Sequence, residues 1–312
     1  MSSVPVVSTA VLLHLFNTQH WPDFSDALCN IKKPFDLLIN LVEGTHTAET
    51  LAQQATLIRQ NFPDALIITS ENRGMDVGGM LRLFDIALQK DYQVLLYAHS
   101  KSNDQWRKSM LNTLTQNSSK CIQLLTQNSK SNHTRIGMIG HHTYPFDYYN
   151  TGPFIALMSK LDITLNTQWE RYFKRFPNAR SLPLSQRIAH ALDQSKLDAS
   201  IANLRPELDL DYAQYYLGNL LQTKQRMTAE RLMQFRADQV IQPMPYFPGN
   251  FFWISMPLVR LLATHINFEA EYLSLSFELK SDTLTQSRAH AWERALPVFS
   301  AKNSYQILAL TP

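Results

Sequence analysis

Cysteine is scarce: only Cys29 and Cys121 occur in 312 residues, and their separation fits no metal-ligand spacing. That excludes a disulfide-stapled scaffold and a zinc module; two unpaired thiols in a reducing cytoplasm are the expectation. No apolar run approaches the roughly eighteen residues that span a bilayer. The N-terminal stretch Val11 to Phe16 is interrupted by His14 and has no basic flank, so a signal peptide is not expected. An excess of one charge sign is missing too. The formal net charge is +3 with no dense Lys/Arg run, which argues against nucleic acid as a partner. G-x-G-x-x-G, P-loop, G-x-S-x-G and H-E-x-x-H motifs are all absent. Dinucleotide-dependent oxidoreductase, NTPase, serine hydrolase and metalloprotease readings therefore lose their specific support.

What is present is ample core material, with 45% hydrophobic and 18% charged residues. Val6–Leu15, Phe35–Val42, Ala65–Thr69, Tyr92–Tyr97 and Ile136–Ile139 are β-branched or apolar and read as strands. Between them, Trp21–Asn30, Thr47–Asn61, Val77–Gln89 and Trp106–Leu125 carry helical spacing. Such alternation predicts an α/β fold with a mainly parallel sheet and flanking crossover helices. From Leu157 to about Arg236 the strand signals nearly vanish, which predicts a helical insertion. Strand character returns over Gln242–Ile254, and helices follow at Met256–His265 and Ala289–Phe299. The expected organisation is an α/β half over 1–156, a helical insertion over 157–236, and a return to the same domain over 237–312.

Chemistry concentrates at strand exits. Asn72, Arg73, Gly74, Asp76, Gly78 and Gly79 lie between a strand and a helix, where glycines admit a ligand close to the backbone. The plainer alternative is that Asp76 caps the helix and Gly74 makes the turn. His99, Ser100, Lys101 and Ser102 follow an apolar strand, a position where ligands bind in open α/β sheets. These segments are expected to place Asn72, Asp76, His99 and Lys101 beside the ends of two neighbouring strands. A solvated loop is the alternative for the second segment. Trp106 packs the next helix while Arg107 offers a guanidinium toward the same mouth, or serves as a surface charge. Gly249 and Asn250 open an aromatic run, Phe251 to Trp253, which is either sugar-stacking platform or core. His290 and Arg294 share a helical face, and Glu293 points elsewhere as a candidate base or ion-pair partner. Asp209 and Asp211 have the spacing of a metal-binding acidic pair, but they lie in the helical stretch and read as a decoy.

In their order these segments resemble the rhamnan synthesis protein F family of bacterial polysaccharide glycosyltransferases. That pattern comprises an Asn-x-Gly-Arg-Asp-like loop, a strand ending in His-Thr-Lys-Lys-Ser, Trp-Arg, an Ile-Gly-Met-Ile strand, a Gly-x-Met-Phe-Trp turn and a His-Ala-x-Glu-Arg helix. It is matched by Asn72, Gly74 and Asp76; His99, Lys101 and Ser102; Trp106 and Arg107; Gly137, Met138 and Ile139; Gly249, Phe252 and Trp253; and His290, Ala291, Glu293 and Arg294. Met75, Ser100, Asn250 and Phe251 depart from it.

The resemblance implies a GT-A-like single Rossmann-like sheet and a nucleotide-diphosphate-sugar transferase in cell-surface polysaccharide or lipopolysaccharide assembly, with rhamnose a candidate sugar. Asn72, Arg73, Gly74, Asp76, His99, Lys101, Ser102 and Arg107 would face the donor. Gly249, Asn250, Trp253 and His290 would form the acceptor side, with Asp76 and Glu293 the catalytic pair. No protein ligand to a metal is assigned, although Mg2+ or Mn2+ is compatible with such a donor. The implied partners are a nucleotide sugar and a glycan or lipid-linked glycan. The implied place is the cytoplasm, with peripheral contact at the inner face of the membrane left open. A different class, a non-catalytic scaffold on a degenerate transferase fold, fits the departures.

Overall fold

In a computed structural model of the chain, residues 8–44, 46–126, 135–141, 144–146, 152–162, 178, 244–247, 249–277 and 288–310 are described. The chain divides into two units, one of Met1–Thr143, Tyr148–Ile163 and Pro245–Pro312, the other of Tyr144–Asp147 and Thr164–Met244. Most of the expected helical insertion, Asp209 and Asp211 included, lies outside the described residues.

The first unit begins with strands β1 (Thr9–Leu15), β2 (Asp36–Glu43), β3 (Leu66–Glu71) and β4 (Val94–His99). Helices α1 (Trp21–Leu28), α2 (Ala48–Asn61) and α3 (Met75–Ala87) connect them. Local chemistry sets several helix starts: Thr47 Oγ1 accepts from Thr50 N–H at 3.2 Å to cap α2, and Pro22 sits in the first turn of α1. Next in chain order come α4 (Asp104–Gln116), α5 (Ser118–Thr126), β5 (Arg135–Gly140), β6 (Tyr144–Phe146), which belongs to the second unit, and α6 (Gly152–Lys160). After residue 243 follow β7 (Met244–Tyr246), β8 (Phe252–Ser255), α7 (Met256–His265), α8 (Phe268–Leu273), α9 (Arg288–Lys302) and β9 (Tyr305–Ala309).

Seven strands form one sheet in the order β3-β2-β1-β4-β8-β5-β9. Every pairing is parallel except those of β8, which runs antiparallel to both β4 and β5. The α/β class with a mostly parallel sheet and flanking helices is as the sequence predicts. All seven residues of β1 and all six of β4 are buried, as expected for central strands covered on both faces. The edge strand β3 is largely open.

Three expectations need correction. β3 and β4 are not neighbours, because β2 and β1 lie between them. The single helix expected over Trp106–Leu125 is two, separated at Asn117, whose side-chain amide donates to Thr113 O at 2.8 Å and closes α4. β9 and α8 were not anticipated; Tyr305–Ala309 is a short edge strand with little alternation, and α8 is only six residues long.

Candidate active site

The strand order reverses between β1 and β4: β2 and β3 lie on one side of β1, and β4 starts the other. A crevice at the carboxyl ends of the two strands on either side of such a reversal is the general ligand site of open α/β sheets. Ser100 closes its floor. Its hydroxyl accepts from the backbone N–H groups of Phe16 at 2.7 Å and Asn17 at 3.0 Å, and its own N–H donates to His14 O at 2.9 Å. Ser100 thus ties the exits of β1 and β4 together, a role its polar neighbours hid in the sequence.

Five residues from four elements meet beside this floor. Helix α3 crosses the sheet, which brings Asp76 to β4 although β3 is two strands removed. Tyr97 OH donates to the Asp76 carbonyl at 2.6 Å and fixes that crossing. The Asp76 carboxylate Oδ2 accepts from the Asn250 side-chain amide at 2.8 Å and lies 3.7 Å from His99 Nε2. His99 Nε2–H donates to Gly249 O at 2.6 Å, and Gly249 N–H donates to Glu293 Oε1 at 2.9 Å. Asp76 with Asn250, and His99 with Gly249 and Glu293, therefore form two hydrogen-bonded groups joined by the Gly249–Asn250 peptide.

Burial opposes charge throughout these groups. It would raise the Asp76 carboxyl, but His99, the Asn250 amide, His14 and Lys101 outweigh it and hold the group below the ordinary carboxylate range. Burial lowers His99 despite the pull of Asp76, so its ring is neutral near pH 7 with the Nε2 proton directed at Gly249 O. Burial also raises Glu293, more than the nearby Arg294 lowers it. A carboxylate kept ionised beside a carboxyl pushed upward separates a binding anion from a proton acceptor.

The glycine segment serves packing. Asp76 does not cap α3; Gly74 stands at the cap position with φ 58°, and no side chain caps the helix. A Cβ on Gly74 would meet Leu275 Cδ1 at 2.5 Å, on Gly78 the Arg73 carbonyl oxygen at 1.9 Å, and on Gly79 the His14 ring at 1.9 Å. The glycines thus let α3 press onto its own protein neighbours. Asn72 keeps a buried Oδ1 without a hydrogen-bond partner in the loop before α3.

Other expected site residues scatter. Lys101 Nζ lies 4.2 Å from the Trp106 ring centroid, a cation–π contact at the rim, and Ser102 is exposed. Arg107 does not face the mouth. Its buried guanidinium donates to Asp23 at 2.7 Å, to Asp104 at 2.9 Å and to the Lys101 carbonyl, pinning α4 to α1 and holding the Lys101 loop. Arg73 pairs with Glu71 at 2.9 Å and stacks on Phe277. Trp253 is no sugar platform: it is fully buried and donates from Nε1 to Leu114 O at 3.0 Å, in the core beneath α4. His290 is half-buried, with its ring lowered by burial and by Arg294, which itself donates to His290 O at 2.7 Å.

Sequence reasoning missed a buried polar row. In register, His14 lies beside both Asn40 on β2 and His99 on β4. Asn40 Nδ2 donates to His14 Nδ1 at 2.9 Å and to Ser70 Oγ at 2.8 Å. Burial holds His14 down to about 4, so it is neutral at physiological pH. Polar residues inside apolar strands were the available signal. Also missed was Glu271, buried against Arg288, Trp292 Nε1 at 3.0 Å and Lys160 at 3.1 Å, a latch joining α8, α9 and α6.

The fold defines an α/β protein with a cluster of charged and polar side chains at a topological switch point. The family model of rhamnan synthesis protein F matches residues 2–158, and the chain belongs to that family. No curated protein matches it. Among solved structures it is similar to core-mannan synthase A from Aspergillus fumigatus, in a Mn/GDP form, at 9% identity over 98% of this chain and 74% of that one. The TM-score of 0.38 is too low for that likeness to bear on this chain's chemistry. Among the described residues no group of three or more His, Cys, Asp or Glu side chains is arranged to hold a metal ion.

Proposed function

We propose that the protein is a glycosyltransferase of polysaccharide synthesis, moving a sugar from a nucleoside-diphosphate donor to a hydroxyl of a glycan acceptor. The observation that carries this is the convergence of Asp76, His99, Asn250, Gly249 and Glu293 at the β1/β4 switch point, in a chain of the rhamnan synthesis protein F family. The sheet order and its antiparallel β8 support the GT-A-like reading. Asp76, ionised and partly open to the crevice, takes a hydroxyl of the donor; Asn72 Oδ1 offers a second acceptor.

In the transfer, the anomeric carbon–oxygen bond to the diphosphate breaks and the electron pair leaves with the phosphate. A new bond forms to the acceptor oxygen, whose proton passes to Glu293. Lys101, able to swing from the Trp106 face, offsets charge on the departing diphosphate. A raised Glu293 suits the proton acceptor. A deoxyhexose such as rhamnose is the donated unit this reading favours, with cell-surface polysaccharide or lipopolysaccharide as product. The described residues contain no helix long and apolar enough to cross a membrane. We place the enzyme in the cytoplasm, reaching a lipid-linked acceptor at the inner face of the membrane.

Asp76→Ala and Lys101→Ala are expected to abolish transfer from nucleotide sugars while leaving the chain folded, the first with a lowered Tm because the buried Asn250 amide loses its partner. Wild-type turnover in either variant would count heavily against the site. For the charge role of Lys101, appreciable turnover in chelator is expected; strict Mg2+ or Mn2+ dependence would overturn it.

A further inference from the structure

The turn between β7 and β8 contains two consecutive residues in the left-handed region, Gly249 at φ 84° and Asn250 at φ 57°. Asparagine tolerates that conformation better than most side chains, and glycine tolerates it freely. Three polar groups of the turn are committed to three different elements. Gly249 N–H goes to Glu293 on α9, Gly249 O receives His99 from β4, and the Asn250 amide goes to Asp76 on α3. Asn250 is only 3% exposed, so its amide does not face solvent where a glycan could reach it. The expected acceptor-side role therefore has no surface to act through.

We infer that Asn250 is a positioning residue: its amide orients the Asp76 carboxylate, and the Gly249–Asn250 turn locks Asp76, His99 and Glu293 into one arrangement. This deepens the donor-site reading above and rests on it for the role of Asp76. With Oδ2 held by the amide, the other carboxylate oxygen is the one left to a donor hydroxyl.

Two substitutions separate conformation from hydrogen bonding. Asn250→Gly keeps the left-handed turn and deletes the donor. Asn250→Asp keeps shape and turn but sets a carboxyl where the amide nitrogen was, 2.8 Å from Asp76 Oδ2. Two carboxylates that close cannot both ionise cheaply; they share a proton until the pH rises through an elevated second titration. While that proton is shared, Asn250→Asp reproduces the hydrogen bond. Once it is lost, the two groups repel.

The other charged or titratable groups facing Asp76 are His14 from β1, His99 from β4, Lys101 from the loop after it, and His290 and Glu293 from α9. The Tyr97 hydroxyl, also on β4, is spent on the Asp76 backbone. All these groups are common to variant and wild type, so the difference between the two isolates the new pair.

The test uses the full chain. Thermal stability, and calorimetric binding of GDP-, UDP- and dTDP-sugars, are followed from about pH 5 to about pH 9, a range spanning the shared-proton regime. Asn250→Asp is expected to match wild type at the acid end and to lose stability and donor binding together as pH rises. Asn250→Gly is expected to bind donor about tenfold or more weakly at every pH, the loss of one charge-assisted hydrogen bond. A stability difference between Asn250→Asp and wild type that is flat with pH would overturn the Asn250 contact itself. Wild-type donor affinity in Asn250→Gly would overturn its positioning role. Wild-type protein that binds no nucleotide sugar sinks the donor reading and, with it, the assigned role of Asp76, whatever the stability profile shows.

Discussion

Gly79→Ala separates packing from ligand binding in the glycine segment. In an exposed helix interior this change is worth about 1 kcal/mol of stabilisation. Here the new Cβ would lie 1.9 Å from His14 Nδ1, 2.4 Å from Cγ and 2.7 Å from Cε1. The ring cannot simply withdraw, because it is buried and its Nδ1 is held by Asn40 at 2.9 Å. Overpacking costs about 1–3 kcal/mol, and stranding the Asn40 amide about 1–3 more. Against the propensity gain, the net loss is about 3 kcal/mol, with a range of about 1–5. In a His14→Ala background the ring is gone, so the same change should stabilise by about 1 kcal/mol. Urea or thermal denaturation of the four proteins in the cycle measures the coupling, expected at about 2 kcal/mol or more. Gly79→Ala that stabilises the wild type, or a coupling near zero, would refute the packing account. A phosphate-binding glycine would instead show normal stability and weakened nucleotide affinity.

Arg107→Ala should cost about 2 kcal/mol, less than the full price of breaking a buried pair, because Asp23 and Asp104 side chains are 26% and 69% exposed and can rehydrate. Burial would raise Asp23, yet hydrogen bonds from Arg107 and Lys108 win and lower it. Its contribution is therefore present above the unfolded carboxyl range and lost as pH falls through the folded value; Tm against pH should lose part of that acid limb in the variant. Glu293→Gln should abolish transfer yet raise Tm near neutral pH, since a raised carboxyl costs stability once ionised. The Tm gap should open as pH rises out of the ordinary carboxyl range and close below it; a gap constant with pH would contradict the shift.

The parallel half of the sheet was readable because β1, β2 and β4 are nearly unbroken apolar runs separated by periodic helices. Asp76, His99, Gly249 and Glu293 were each legible as candidates, since strand exits and turns are where polar groups accumulate, and the structure brings the four together. What failed was facing. In β8, Phe252 packs against Tyr97 while the next residue, Trp253, turns to the opposite face and enters the core under α4. Both faces are covered, Phe252 at 1% and Trp253 at 0% exposure, so neither ring is left as a platform, and composition alone does not report that. Arg107 failed for a related reason: its partner Asp23 lies 84 residues away. Asn40 and His14 were hidden because each is one polar residue inside an apolar strand, and only the register brings them together.

The central claim is that the crevice beside Asp76 and Lys101 holds a nucleoside-diphosphate donor. Calorimetric titration with GDP, UDP and dTDP tests it most directly, on wild type and on Lys101→Ala. The account predicts saturable binding of at least one of them to the wild type and a loss of about tenfold or more in the variant, as expected for removing one charge-assisted contact to the diphosphate. No binding by any of the three, or equal affinity in both proteins, would contradict it.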